Sequence, residues 1–93
     1  MSYTFQQNKE ANRFEVHTHN QTAFVDYEID QNQIELIHTE VPKELGGKGI
    51  GSFLAENSLE FAKNNQLKVK PSCSFIKNYI DKHPEYQSIS KLH

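Results

Sequence analysis

The first half of the chain alternates apolar and polar residues with a period of two. The positions expected on the buried face are Phe14, Val16 and Thr18 in one run, and Ala23, Val25, Tyr27 and Ile29 in the next. Alternation of this kind predicts strands with one buried face. Residues 3–7 read as a further short strand. Turns rich in Asn and Gln separate the runs, so we expect an antiparallel meander.

The predicted fourth strand, residues 34–41, has a defect in its alternation. Ile34 and Leu36 fall on one face, whereas Ile37, Thr39 and Val41 fall on the other. Two interpretations stay open. Either both faces of this strand are covered, or a β-bulge inserts an extra residue and leaves backbone N–H groups unpaired.

The second half of the chain changes to helical spacing. Apolar residues recur every three or four positions and predict a helix from about Gly49 to Asn64. Residues 67–70 predict a fifth strand, which should lie parallel to the fourth because a helix connects them. Ser72 is the expected N-cap of a second helix. The apolar stripe of that helix is Phe75, Ile76, Tyr79 and Ile80. Residues 85–93 receive no assignment.

All four glycines lie between Gly46 and Gly51, directly before the first helix. The start of a helix presents unpaired N–H groups and a partial positive charge, and glycines let a bulky anion approach the backbone. This stretch therefore predicts a phosphate or pyrophosphate site. The alternative is a glycine-rich turn that begins the helix and binds nothing.

Two familiar phosphate loops do not match. A Walker A loop needs Ser or Thr after Gly-Lys, and here Lys48 is followed by Gly49. The dinucleotide fingerprint needs glycine at position 52, where Ser52 stands. The strands before the loop also read as hairpins rather than as βαβ units, so both nucleotide-binding motifs are excluded.

The stretch Gly47-Lys48-Gly49-Ile50-Gly51, preceded by Val41-Pro42, resembles the pyrophosphate loop of the GNAT superfamily of acetyl-CoA-dependent N-acetyltransferases. That loop follows the pattern Arg/Gln-x-x-Gly-x-Gly/Ala. Gly46 stands where Arg or Gln is usual, which removes one side-chain contact to the pyrophosphate.

Two later segments resemble those of a short GNAT-like subfamily: Pro71-Ser72-Cys73-Ser74-Phe75 and His83-Pro84-Glu85-Tyr86. The resemblance implies a minimal α+β GNAT fold, as one domain over residues 1–93. Its order is a four-stranded antiparallel meander, the glycine loop, a helix, a parallel fifth strand and a helix. The helical segment that longer members carry between their first two strands is missing.

The resemblance also implies acetyl-CoA as cosubstrate, with no metal, and acetyl transfer to an amine. The alternative is an acetyl-CoA-binding module or sensor without turnover. The residues expected to contact the cosubstrate are Thr39, Val41, Gly46, Gly47, Lys48, Gly49, Ile50, Gly51 and Ser52. By the same resemblance, the backbone N–H groups around Thr39, Glu40 and Val41 are the candidates for holding the oxyanion.

Four side chains are candidates for catalysis. His38 and Glu40 share one side of a regular strand, and either could take the proton of the amine. Both could equally be ordinary residues of the sheet surface. Cys73 falls in the first turn of the second helix, where the dipole favours a thiolate. It is a candidate proton donor, a candidate nucleophile that forms acetyl-cysteine, or a small buried apolar residue. The resemblance implies that Tyr79 is a general acid, and its place in the apolar stripe makes it equally a candidate core residue.

Composition narrows the class of protein. The 93 residues carry a net charge of −2, which gives no basic surface for nucleic acid. The single cysteine excludes an internal disulfide, and no signal peptide or membrane span is visible. We therefore expect a cytoplasmic protein whose partners are acetyl-CoA and an amine or protein acceptor. The oligomeric state is not predicted.

Overall fold

The computed structural model describes residues 3–93 and contains one five-stranded sheet in the order β1-β2-β3-β4-β5. The strands are β1 (Gln6–Asn8), β2 (Arg13–Thr18), β3 (Gln21–Asp30), β4 (Gln33–Glu40) and β5 (Lys68–Pro71). The helices are α1 (Ile50–Asn64) and α2 (Ser74–Lys82), with 3₁₀ turns at Lys43–Leu45 and Pro84–Ile89. Strands β1 to β4 pair antiparallel, and β4 pairs parallel with β5. The predicted fold class is confirmed, although β1 begins later than expected.

Both helices pack on one face of the sheet and share one hydrophobic core with it. The fully buried residues of this core include Phe14, Val16, Val25, Ile34, Leu36, Leu54, Leu59, Val69, Ile76 and Ile80. The apolar period predicted for α1 is confirmed, because Ile50, Leu54 and Ala62 are all buried. Ile29 was expected in the core but is 43% exposed, since it lies next to the β3–β4 turn.

The opposite face of the sheet, which we call the open face, carries the alternate residues of the same strands. Only a turn connects β1 to β2, so no helix arises there to cover it. The side chains of His38 and Glu40 on this face are 55% and 54% exposed. The missing helical segment therefore leaves one side of a two-layer structure accessible.

A β-bulge interrupts β4 at Ile37. Asp26 of β3 faces His38, and the next residue, Tyr27, faces Leu36, so Ile37 is an extra residue without a partner. The bulge shifts the alternation by one position. Thr39 consequently lies on the helix side with its partner Val25, and its predicted grouping with Ile37 on the other face is wrong.

Strands β4 and β5 stay together over only half of β4. Their pairing runs from Gln33 with Lys68 to Leu36 with Pro71, where β5 ends. A last backbone bond joins Cys73 N–H to the Leu36 carbonyl, at 3.0 Å. Beyond it, the edge of β4 from Ile37 to Glu40 has no strand partner among residues 3–93 on that side. We call this opening the β4–β5 gap.

The C-terminal residues, which the sequence left unassigned, lie along the outer edge of β5. Tyr86 is buried and donates its hydroxyl to Glu60 Oε2 at 2.7 Å. Burial, and then this carboxylate, raise the pKa of Tyr86. Further on, Ser90 forms a parallel bridge with Val69. Within the described residues, no helix has the length and apolar character needed to cross a membrane.

Ser58 of α1 generates a prediction about stability. Its hydroxyl is buried and has no hydrogen-bond partner in residues 3–93. An unsatisfied buried hydroxyl is unfavourable, so Ser58→Ala should raise the free energy of unfolding by about 1 kcal/mol. In a domain of this size that corresponds to an increase of about 4–8 °C in Tm. Thermal and urea denaturation would measure it.

Ser52→Ala is the matched control, because Ser52 is exposed on the same helix. It reports the intrinsic helix preference of alanine without the buried hydroxyl. An equal gain in the free energy of unfolding from both variants, or a loss from Ser58→Ala, would show that the buried Ser58 hydroxyl is not destabilising.

Candidate functional site

The glycine loop turns the chain sharply into α1. Gly47 and Gly49 both have φ of +77°, in the left-handed region that side chains with a Cβ adopt only under strain. Gly49 is the N-cap of α1, and a Cβ at either position would meet no atom within 4 Å. The surface above both glycines is therefore open to a ligand.

The first turn of α1 has free donors. No side chain caps the helix, and no acidic residue stands in its first turn. The first backbone bond of the helix runs from Phe53 N–H to the Gly49 carbonyl at 3.0 Å. The N–H groups of residues 50–52 thus have no partner among the described residues, and they point toward the start of the helix. This arrangement can hold an anion.

Gly51, in the first turn of α1, is the point at which the start of α2 packs against α1. A Cβ at this position would lie 2.9 Å from Phe75 Cζ, so the missing side chain lets the Phe75 ring sit against α1. Phe75 is 42% exposed, in contrast to Ile76 and Ile80 of the same predicted stripe, which are buried. The ring therefore forms an apolar wall beside the glycine loop instead of joining the core.

A cleft of about 360 Å³ continues from this wall between the two helices. Its lining is Ser52, Phe75, Asn78, Tyr79, Lys82 and His83. The rings of Tyr79 and His83 stack with centroids 3.8 Å apart, and His83 Nδ1 lies 2.7 Å from the Tyr79 carbonyl. Burial, and then the charges of Glu56 and Glu85, raise the pKa of Tyr79. Its phenol therefore stays protonated at neutral pH, as a proton donor must.

Cys73 lies at the closed end of the β4–β5 gap. It is the N-cap of α2, so the prediction that Ser72 caps this helix is wrong. The Ser72 hydroxyl donates instead to Glu35 Oε2 at 2.5 Å. The Cys73 thiol, in a residue only 9% exposed, donates to Thr39 Oγ1 at 3.3 Å. The Ile37 bulge makes this contact possible, because it turns Thr39 toward the helix side.

His38 and Glu40 approach the gap from the open face. His38 Nε2 lies 3.0 Å from Glu40 Oε1, which confirms that both side chains project to the same side of β4. A carboxylate bonded to one ring nitrogen orients the imidazole and leaves the other nitrogen, Nδ1, available for a proton. The imidazole of His38 can therefore act as a general base whose orientation is fixed by the Glu40 carboxylate.

The candidate residues thus form three groups around the ends of β4 and β5. The free N–H groups lie at the start of α1, and the cleft runs from there along α2 to His83. The Cys73–Thr39 contact lies in the gap, and the His38–Glu40 pair lies on the open face. The sequence analysis missed Asn78 and Lys82 of the cleft, and it noted His83 only as part of the segment His83-Pro84-Glu85-Tyr86. Their spacing from Phe75 and Tyr79, in steps of three and four along α2, was the available signal.

Comparison with known proteins agrees with this geometry. A family model described as GCN5-related N-acetyl-transferase matches residues 13–89. Protein NATD1 of Homo sapiens is 33% identical over 64 residues, which are 69% of this chain and 57% of that protein. NATD1 of Xenopus tropicalis is 31% identical over 69% of this chain and 59% of its own length. The chain therefore spans little more than half the length of these relatives.

A solved structure is similar over nearly the whole chain. It is the solution NMR structure of a protein from Staphylococcus aureus that is described as GCN5-like. The TM-score is 0.73 with 36% sequence identity, and the match covers 94% of this chain and 86% of that one. In residues 3–93 we find no group of three His, Cys, Asp or Glu side chains arranged to hold a metal ion.

The left-handed conformation of Gly49 generates a prediction. Gly49→Ala should lower the free energy of unfolding by about 1 kcal/mol, because a Cβ is unfavourable at this φ. Gly49→Asn should recover part of the loss, since Asn tolerates the left-handed region better. Urea denaturation of the three proteins measures both effects. Equal losses from Ala and Asn would show that conformation at Gly49 is not the cause.

Proposed function

Because the chain belongs to the family of GCN5-related N-acetyltransferases, we propose that it binds acetyl-CoA and transfers the acetyl group to an amine. The observation that carries the proposal is the β4–β5 gap, which holds the Cys73 thiol and opens beside the free N–H groups of α1. Acetyl-CoA supplies an activated thioester, so the protein has to bind a diphosphate, orient the acyl group and move protons.

The diphosphate fits the glycine loop. The N–H groups of residues 50–52 and the positive end of the α1 dipole favour an anion, and the open surface at Gly47 and Gly49 lets it approach. Lys48 in the loop and Lys82 in the cleft add positive charge. Gly46 offers no side chain there, so backbone contacts carry most of the binding.

The acyl end fits the β4–β5 gap. The unpaired edge of β4 between Ile37 and Glu40 offers backbone donors and acceptors to an extended ligand. Donors fixed on a strand need no reorganisation as an oxyanion develops. We assign this role to the N–H groups near Thr39 and Val41.

Proton transfer falls to groups on both sides of β4. His38, oriented by Glu40, takes the proton of the acceptor ammonium from the open face. The departing thiolate needs a proton, and the Tyr79 phenol and the Cys73 thiol are the two donors near the gap and the cleft. In a covalent variant, Cys73 Sγ attacks the thioester carbonyl, and CoA leaves as its thiol with the proton that Cys73 gave up. The acceptor amine then attacks acetyl-Cys73 and returns a proton to Sγ as the amide forms.

Cofactor binding is tested by adding a negative charge to the start of α1. Ser52→Glu should weaken acetyl-CoA binding about tenfold or more, because the carboxylate competes with the diphosphate for the same N–H groups. An acid in the first turn stabilises a helix, so unfolding will not explain the loss. Amide shifts of residues 46–52 during an acetyl-CoA titration measure the affinity.

Ser88→Glu is the control, since it adds the same charge at an exposed position beside β5. Unmoved amides in the glycine loop at millimolar acetyl-CoA would refute the cofactor assignment.

The base is tested by His38→Gln, which should lower kcat about 100-fold and leave acetyl-CoA binding unchanged. His17→Gln is the matched control, because His17 also projects from the sheet and bonds a carboxylate, Glu15, at 2.8 Å. Release of free CoA in the presence of amines and peptides measures turnover. Equal losses in the two variants would remove His38 from the mechanism.

Mass spectrometry after exposure to acetyl-CoA distinguishes the remaining alternatives. An acetyl adduct that Cys73→Ala abolishes supports the covalent route, and turnover without an adduct supports direct transfer. Binding with neither adduct nor turnover would instead favour the cosubstrate sensor. The observation that favours the sensor is the open face of the sheet, which no helix covers.

A further inference from the structure

We propose that the chain has a second ligand site, at the far end of α1, which binds a free α-amino acid with an aliphatic side chain. A cavity of about 440 Å³ lies there, between the β1–β2 turn, the end of β3 and the end of α1. The glycine loop lies at the other end of the same helix, about 21 Å away along its 15 residues. The cavity is therefore separate from the acetyl-CoA site, and the proposal does not depend on acetyl transfer.

The end of β3 has a backbone edge without a strand partner among residues 3–93. β2 begins at Arg13, opposite Asp26, and a last backbone bond on this side joins Tyr27 N–H to the Asn12 carbonyl at 2.9 Å. The backbone groups of successive residues in a strand face alternate sides. The N–H and C=O of Ile29 therefore face the same side as Tyr27 N–H, where the described chain has no strand. One backbone donor and one backbone acceptor are thus available to a ligand beside the cavity.

A buried hydroxyl supplies a further donor. Tyr27 lines the cavity, although only 4% of the residue is exposed. Its hydroxyl accepts a hydrogen bond from Gln7 Nε2 at 2.8 Å, but the hydrogen of that hydroxyl has no acceptor within residues 3–93. A buried donor without a partner is unfavourable unless a ligand or a water accepts from it. The Tyr27 phenol therefore points to a ligand that carries an acceptor.

A carboxylate fits the β1 side of the cavity. Lys9 follows β1 directly and lines the cavity, and it forms no ion pair within the described part of the chain. Gln7, which contacts the Tyr27 hydroxyl, lines the cavity as well. An ammonium, an amide and a phenol hydrogen thus belong to one side of the cavity. Hydrogen bonds from such donors to a carboxylate are among the strong ones, because the acceptor is charged.

An ammonium fits the opposite side. Glu28 lines the cavity without an ion pair to any of residues 3–93, and Asn12 donates to its Oε2 at 3.4 Å. Asn65 uses its Nδ2 to bond the Phe61 carbonyl at 2.8 Å, so its Oδ1 is left as an acceptor. Asn65 is also the C-cap of α1, where the negative end of the helix dipole favours a cation.

An aliphatic side chain fits the remaining lining. Ile29 is 43% exposed, and Phe61, whose ring packs on Phe14 with centroids 5.0 Å apart, lines the cavity with it. Covering these side chains removes apolar surface from water, which favours binding. The volume lies within the range of small-molecule sites, roughly 300–1,000 Å³. A carboxylate, an ammonium and an aliphatic group on one small molecule together describe an α-amino acid such as leucine.

The experiment is a titration of the ¹⁵N-labelled full chain with L-leucine, without acetyl-CoA. Three parallel probes each lack one group: isopentylamine has no carboxylate, isocaproate has no ammonium, and glycine has no side chain. We expect leucine to shift amides of residues 9–12, 27–29 and 61–65 and to leave residues 46–52 unmoved. Each of the other probes should bind about tenfold more weakly, because it loses one of the three sets of contacts.

Variants test each half of the ligand separately. Lys9→Gln should reduce the preference for leucine over isopentylamine about five-fold and leave the preference over isocaproate unchanged. Glu28→Gln should do the reverse. Tyr27→Phe should act like Lys9→Gln, because it also removes a donor from the carboxylate side. Glu10→Gln/Lys63→Gln is the matched control, since both residues are exposed nearby and neither lines the cavity.

Four results would overturn the proposal: no leucine shifts in the three segments, equal binding of leucine and either single-charge probe, equal binding of glycine, or equal weakening in the control. The acetyl-CoA titration is read from different amides. Leucine binding in a chain that does not bind acetyl-CoA would refute the proposed function and leave this site intact. Acetyl-CoA binding without leucine binding would refute the second site alone.

Discussion

The separation of β4 from β5 is the constraint on which the site depends. A parallel pair normally satisfies the backbone of both strands, but β5 ends at Pro71 while β4 continues to Glu40. Because Ile37 is an extra residue, the side chains that follow it in β4 project from the opposite side of the sheet to the one that regular alternation predicts. As a result, residues 37–40 of β4 have an unpaired backbone edge. The Thr39 hydroxyl points toward Cys73, and the His38–Glu40 pair projects from the open face.

The packing of the two helices supports this opening from one side. Both helices start at the same end of the sheet, and the missing side chain of Gly51 lets the Phe75 ring lie against α1. The glycine loop consequently stays next to the gap. The opposite side has no such support, because a simple turn follows β1. One half of the site is thus built by packing, and the other half consists of exposed side chains on a sheet.

Most of the fold could be predicted from the sequence, because period-two and period-3.6 patterns depend on local chemistry. The glycine loop was identifiable for the same reason. The orientation of Thr39 was not, since a one-residue bulge is decided by pairing with β3 and reverses every later position. The cap of α2 also escaped prediction: Ser72 bonds Glu35, a residue distant in sequence, and leaves Cys73 at the helix start.

The C-terminal residues have a consequence for association between molecules. Exposed sheet edges are templates for pairing with other chains. The bridge between Ser90 and Val69, followed by the bond from Lys91 N–H to the Val69 carbonyl at 2.8 Å, occupies part of the outer edge of β5. Among residues 3–93, the edges that stay open therefore include those of β1, of β2 beyond Glu15, and of β4 from Ile37 to Glu40. The C-terminal residues thus keep a second molecule from extending the sheet at β5.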